Sequence, residues 1–113
     1  MLAVEFRQAI GAPGVVFDRV IADTGADASV LPWTDCQALK LTPAMGVQSV
    51  ISGVVGGSTA TLAFRILASL DGRDYPCRLQ ADFVGGERIL GRDVLNRLDV
   101  LFRGPAGEIV LNP

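Results

Sequence analysis

Apolar and polar residues alternate loosely from Leu2 to Gln8, the period of a half-buried strand. Gly11-Ala12-Pro13-Gly14 supplies a turn, and Val15 to Ala22 returns as a β-branched, mostly apolar strand interrupted by Asp18-Arg19. The two segments predict a hairpin that delivers Asp23 at its far end. Ser29-Val30-Leu31-Pro32 restarts an extended stretch, with Pro32 disfavouring helix at the residue before it. Thr34 to Leu39 predicts a short helical turn capped by Thr34 and ended by Leu41-Thr42-Pro43.

Val47 to Ser52 and Ser58 to Leu67 are strand patterns on either side of Gly53-Val54-Val55-Gly56-Gly57, which predicts a glycine-tipped hairpin over 47–66. Asp71-Gly72 is a strong turn signal, after which Tyr75 to Phe83 forms another strand, broken by Gly85-Gly86. Arg88-Ile89-Leu90-Gly91 is a short apolar strand ending at a glycine. Asp93 to Leu98 is the best helix candidate, with Asp93 placed to cap it or complement its dipole, and with Val94, Leu95 and Leu98 on one face. Asp99 to Phe102 and Glu108 to Leu111, joined by Gly104-Pro105-Ala106-Gly107, predict a C-terminal hairpin over 99–112. Many short strands with one short C-terminal helix define an all-β, barrel-like fold.

Length and composition narrow the choice. With 113 residues the chain is expected to be one domain, 1–113, long enough to bury a core without disulfides or metal. Half of the residues are hydrophobic and 19% are charged, and surplus apolar surface on so small a chain points to an oligomer interface. A net charge of −2 and 6% aromatic residues argue against nucleic acid as the partner. Histidine is absent, which removes Ser-His and Cys-His nucleophiles and the commonest zinc ligand. Cys36 and Cys77 are far apart and are expected to be reduced, partly buried thiols. The start of the chain lacks the form of a signal peptide, and no apolar run reaches the roughly 20 residues needed to cross a bilayer. The expectation is a soluble, cytoplasmic chain or a soluble domain of a longer protein, without membrane contact.

The chemistry concentrates in Ile21-Ala22-Asp23-Thr24-Gly25-Ala26-Asp27-Ala28-Ser29-Val30-Leu31. A carboxylate set between apolar runs is costly to bury unless it is hydrogen-bonded or shares a proton, so Asp23 is a candidate general acid or base. Gly25 is the natural place for a backbone conformation that other residues resist. Taken with Ile89-Leu90-Gly91-Arg92-Asp93 downstream, and with the glycine hairpin between the two motifs, this stretch resembles the retropepsins, the retroviral-type aspartic proteases. The resemblance runs from about the second strand to the helix after Gly91. It implies a closed acid-protease barrel, an obligate homodimer and no cofactor or metal.

What the resemblance implies can be placed residue by residue. This chain has a single Asp-Thr-Gly and no length for a second lobe, so a two-carboxylate site needs one Asp23 from each subunit of a homodimer. The Asp23 pair would activate water toward a peptide bond, with Thr24 holding the loop across the dimer and Gly25 donating to the carboxylates. Ala26 and Asp27 would bind the backbone of an extended polypeptide substrate. Gly53, Val54, Val55 and Gly56 would close over it as a flap. Ile89, Leu90 and Gly91 would pack beside the loop, and Arg92 would pair with Asp27. The hairpin at 99–112 departs from the interleaved terminal strands of the viral enzymes and suggests an interface closer to bacterial and Ddi1-type members. The alternative is a non-catalytic peptide-binding or dimerisation module of the same fold, which the intact Asp-Thr-Gly disfavours.

Overall fold

The computed structural model describes residues 1–52, 58–103 and 108–112, with side chains described for 1–50 and 60–98. Strand β1 (Leu2–Arg7) pairs antiparallel with β2 (Val15–Ala22), and β2 pairs in parallel with β7 (Arg88–Leu90). Between them in sequence come β3 (Ser29–Pro32), β4 (Val47–Ser52), β5 (Ser58–Leu70) and β6 (Arg73–Asp82). The sheet runs β1-β2-β7-β3-β6-β5, and β5 pairs back onto β1. That pairing closes a six-stranded barrel, and closure removes the free edges that an open sheet would expose. β4 hangs outside the ring on β5 as a hairpin from Val47↔Ala63 to Ser52↔Ser58. The expected flap tip, Gly53 to Gly56, lies outside the described residues. β8 (Asp99–Arg103) and β9 (Glu108–Asn112) form a separate antiparallel pair, the C-terminal hairpin read from the sequence.

Inward positions alternate along the strands, as a period of two requires. Val4 and Phe6, Phe17 and Val20, Leu31, Leu79 and Leu90 meet in the barrel interior, all buried. Each such side chain contributes about 1.5–3 kcal/mol when taken fully out of water. Asp71 and Gly72 both take positive φ, 52° and 77°, and join β5 to β6 in the two-residue turn whose twist suits a hairpin.

Asp18-Arg19, the interruption in the second strand, is a β-bulge. Leu2 pairs with Val20 but Val4 pairs with Phe17, so two residues of β2, Asp18 and Arg19, stand opposite one of β1, Ala3, with Arg19 at φ 54°. A side chain far along the chain holds the bulge. Arg88 donates from Nη1 to the Asp18 carbonyl at 3.0 Å and to Asp18 Oδ1 at 2.9 Å. Its Nε and Nη2 form a fork onto the Asp35 carboxylate at 2.7 and 3.2 Å, and its guanidinium lies 5.0 Å from the centre of the Phe17 ring. The hydrogen bonds to Asp35 raise the guanidinium above its ordinary value, against the opposing effect of burial. Asp35 is buried, so an amide there loses a charge-assisted, bidentate contact. Asp35→Asn is expected to lower unfolding stability by about 1.5–3 kcal/mol in urea titration, and the Asp35→Asn/Arg88→Met double variant to lower it further, because the contacts of Arg88 with Asp18 and Phe17 are lost as well.

Helix α1 (Trp33–Ala38) begins one residue before Thr34, and Pro32 is its N-cap without a side-chain hydrogen bond. The expected Thr34 cap is therefore corrected. Trp33 enters the helix because its indole packs against Phe64 and Phe83, with ring centres 6.4 and 5.0 Å away. Helix α2 spans Arg92–Leu95, shorter than the 93–98 reading, and starts from an extended Gly91. Asp93 sits in its first turn, but the carboxylate turns away from the helix toward β3 and β6.

Candidate active site

The parallel β2–β7 ladder sets Val20 against Arg88, Ile21 against Ile89 and Ala22 against Leu90. Asp23 continues it, donating from its amide to the Leu90 carbonyl at 3.0 Å. The chain then turns. Ala26 N donates back to the Asp23 carbonyl at 3.2 Å, and Gly25 N donates to Asp23 Oδ1 at 2.8 Å. The last bond holds one carboxylate oxygen in a fixed direction. Asp23, Thr24, Gly25 and Asp27 are exposed in the single chain, and Ala26 is half-buried. Gly25 does not take positive φ. Its constraint is proximity, because a Cβ there would stand 3.1 Å from Asp23 Oδ1.

Gly91 closes the back of the loop. Arg92 N donates to the Ala26 carbonyl at 2.8 Å, which brings Gly91 so near that a Cβ would lie 2.5 Å from the Ala28 carbonyl oxygen and 2.9 Å from that of Ala26. Ser29 ties the two motifs together. Its buried hydroxyl accepts from Gly91 N at 3.1 Å and donates to Asp93 Oδ1 at 2.9 Å, while Asp93 Oδ2 accepts from Arg78 N at 2.6 Å. Arg92 Nη2 donates to Asp27 Oδ1 in an ion pair whose two side chains are largely exposed, so water screens it heavily. The structure thus gathers Asp23, Gly25, Ala26, Asp27, Leu90, Gly91 and Arg92 at one end of the barrel. Ile89 enters through the ladder, and the residues of the flap tip lie outside the described set.

Sequence reasoning missed Ser29, Asp93 as a ligand of β3, and the Arg88–Asp35–Asp18 cluster. Ser29 carried one usable signal, a polar residue at the start of an otherwise apolar strand. The thiols offer no rival nucleophile. Burial, reinforced by neighbouring Asp35, pushes Cys36 up to about 12, and burial with neighbouring Asp93 raises Cys77 as well, so neither is a thiolate near neutrality. Both are buried and unpaired to each other. Among the described residues, no group of three or more His, Cys, Asp or Glu side chains gathers as a metal site, and no helix is long and apolar enough to cross a membrane.

A closed six-stranded barrel with an outlying β-hairpin, a short helix after the second motif, and an Asp-Thr-Gly loop seated against Leu90-Gly91 is a retropepsin-like fold, the aspartic protease fold of the retroviral type. Among solved structures the chain is similar to the EIAV protease complexed with the inhibitor HBY-793. The two are 27% identical, the match covers 85% of this chain and 84% of that one, and the TM-score is 0.61. No protein-family model matches the sequence, and no curated protein matches it.

Proposed function

We propose that the protein is an aspartic endopeptidase that cuts extended polypeptides as a homodimer, with one Asp23 from each subunit. The observation that carries this reading is the fixed Asp23 carboxylate, held by Gly25 N at the end of the β2–β7 ladder in a retropepsin-like fold. Two carboxylates a few ångströms apart do not both ionise easily, which lets one act as base on water while the other acts as acid, as in aspartic proteases generally. The pair removes a proton from water as it attacks the peptide carbonyl, then protonates the departing amine.

The other residues position and exclude. Ala26 and Asp27 present hydrogen-bonding groups to the substrate backbone, Arg92 orients Asp27, and Thr24 braces the loop across the two-fold axis. The flap residues Gly53, Val54, Val55 and Gly56 cover the substrate and keep bulk water out. The C-terminal hairpin at 99–112 supplies the subunit interface. No cofactor or metal is needed for this chemistry.

The test is cleavage of a mixed peptide library, read by mass spectrometry from acid to neutral pH, with sedimentation run at the same concentrations. Where dimer is scarce, the cleavage rate should rise with about the square of protein concentration. A rate strictly linear through the monomer–dimer transition rules out the shared site. A protein that is dimeric yet makes no cuts supports the non-catalytic peptide-binding module instead.

A further inference from the structure

Apart from the Asp23 loop, an open groove of about 780 Å³ runs between the start of β4, the β5–β6 ladder and α2. None of residues 23–27 lines it. Three exposed arginines do: Arg65 on β5, Arg78 on β6 and Arg97 just beyond α2. The carboxylate in the lining is Asp93, and both of its oxygens are already occupied, by Ser29 Oγ and Arg78 N. Among the described residues, no carboxylate forms an ion pair with Arg65, Arg78 or Arg97. On a chain of net charge −2 this groove is a local reversal of sign.

Strand register makes the arrangement costly. Arg65 stands directly opposite Arg78 in the antiparallel ladder, so the two side chains leave one face of the sheet side by side. Like charges at opposed positions destabilise a strand pair. On that same face lie Ala63, two residues before Arg65, Val47 opposite Ala63, and Pro76, two residues before Arg78. Val47 is 71% exposed. The face therefore places apolar positions on both sides of a like-charged arginine pair, Val47 and Ala63 on one side and Pro76 on the other.

We propose that this groove is a second binding site, separate from the Asp23 cleft, for an extended polypeptide segment in which acidic and apolar residues alternate. Carboxylates relieve the Arg65–Arg78 repulsion through the forked contacts that guanidinium groups favour. Apolar side chains of the same segment cover Val47 and Pro76. A small inorganic anion meets the first demand but leaves the flanking apolar positions bare, and a neutral peptide does the reverse. The site stands whether or not the protein cuts peptide bonds.

The test uses the whole chain carrying Asp23→Asn and a fluorescein-labelled peptide alternating glutamate with leucine, read by anisotropy. Binding should weaken about tenfold or more in the combined R65Q/R78Q/R97Q variant, and steeply between about 50 and about 300 mM salt. The lysine-for-glutamate peptide should not bind. If the triple variant fails to melt cooperatively, amide shift mapping on the arginine-intact chain decides, with changes expected at Arg65, Arg78 and Arg97. Absence of binding, unchanged affinity in a folded triple variant, or shifts confined to residues 23–27 overturns the proposal. Inorganic pyrophosphate binding as tightly as the peptide overturns its polypeptide character.

Discussion

Asp23→Asn is expected to lower kcat/KM by about 10³-fold or more while leaving the fold and the proposed dimer unchanged. The substitution is nearly isosteric. The asparagine carbonyl oxygen still accepts from Gly25 N, the 2.8 Å bond that fixes the side chain, so the loop keeps its shape. What disappears is the capacity to take and return a proton. Because the proposed site is shared, the effect has a second signature. At equal total protein, a one-to-one mixture of wild type and Asp23→Asn allowed to exchange subunits should show about a quarter of the activity of wild type alone under random pairing, since only wild-type pairs hold two carboxylates. A site complete within one chain would retain about half. The two outcomes separate a shared dyad from a single-chain catalyst without any structure of the dimer.

The fold was legible where local chemistry decides local shape. Asp71-Gly72 reads as a tight turn because both residues tolerate the positive φ they adopt. The strands read from alternation because a closed barrel has a wet face and a dry one. Legibility failed where a distant residue imposes the local conformation. Asp18-Arg19 reads as a break in a strand, yet only Arg88, 70 residues from Asp18, turns that break into a bulge with Arg19 in the left-handed region. Asp35 reads as a residue on a helical turn, and its partner is 53 positions away. The Asp-Thr-Gly loop and the Ile89-Leu90-Gly91 segment could be named from the chain, but the Ser29–Asp93 bond between them spans 64 positions and has no pattern in sequence. Barrel closure through β1 and β5 is likewise a tertiary fact, since neither strand carries a mark of its second neighbour.

Gly91→Ala is expected to cost about 1–3 kcal/mol of unfolding stability and, in addition, about a hundredfold in activity. The added methyl would stand 2.5 Å from the Ala28 carbonyl oxygen and 2.9 Å from that of Ala26, and both obstacles are backbone. Neither can swing aside as a side chain would. Ala26 is held by Arg92 N at 2.8 Å, and the strand before Gly91 is held through Leu90 to Asp23 N at 3.0 Å. Relief therefore requires the two motifs to separate, and separating them moves the loop that fixes Asp23. Stability and activity should fall together for this reason, with activity falling further because proton transfer depends on sub-ångström placement. Gly86→Ala is the matched control: a Cβ at Gly86 meets nothing within 4 Å, and its φ is not positive. That variant should melt and cut like wild type. If Gly91→Ala is as stable and as active as Gly86→Ala, the close seating of Gly91 against the loop is not what positions the carboxylate, and the link between the two motifs has to be sought in Ser29 and Asp93.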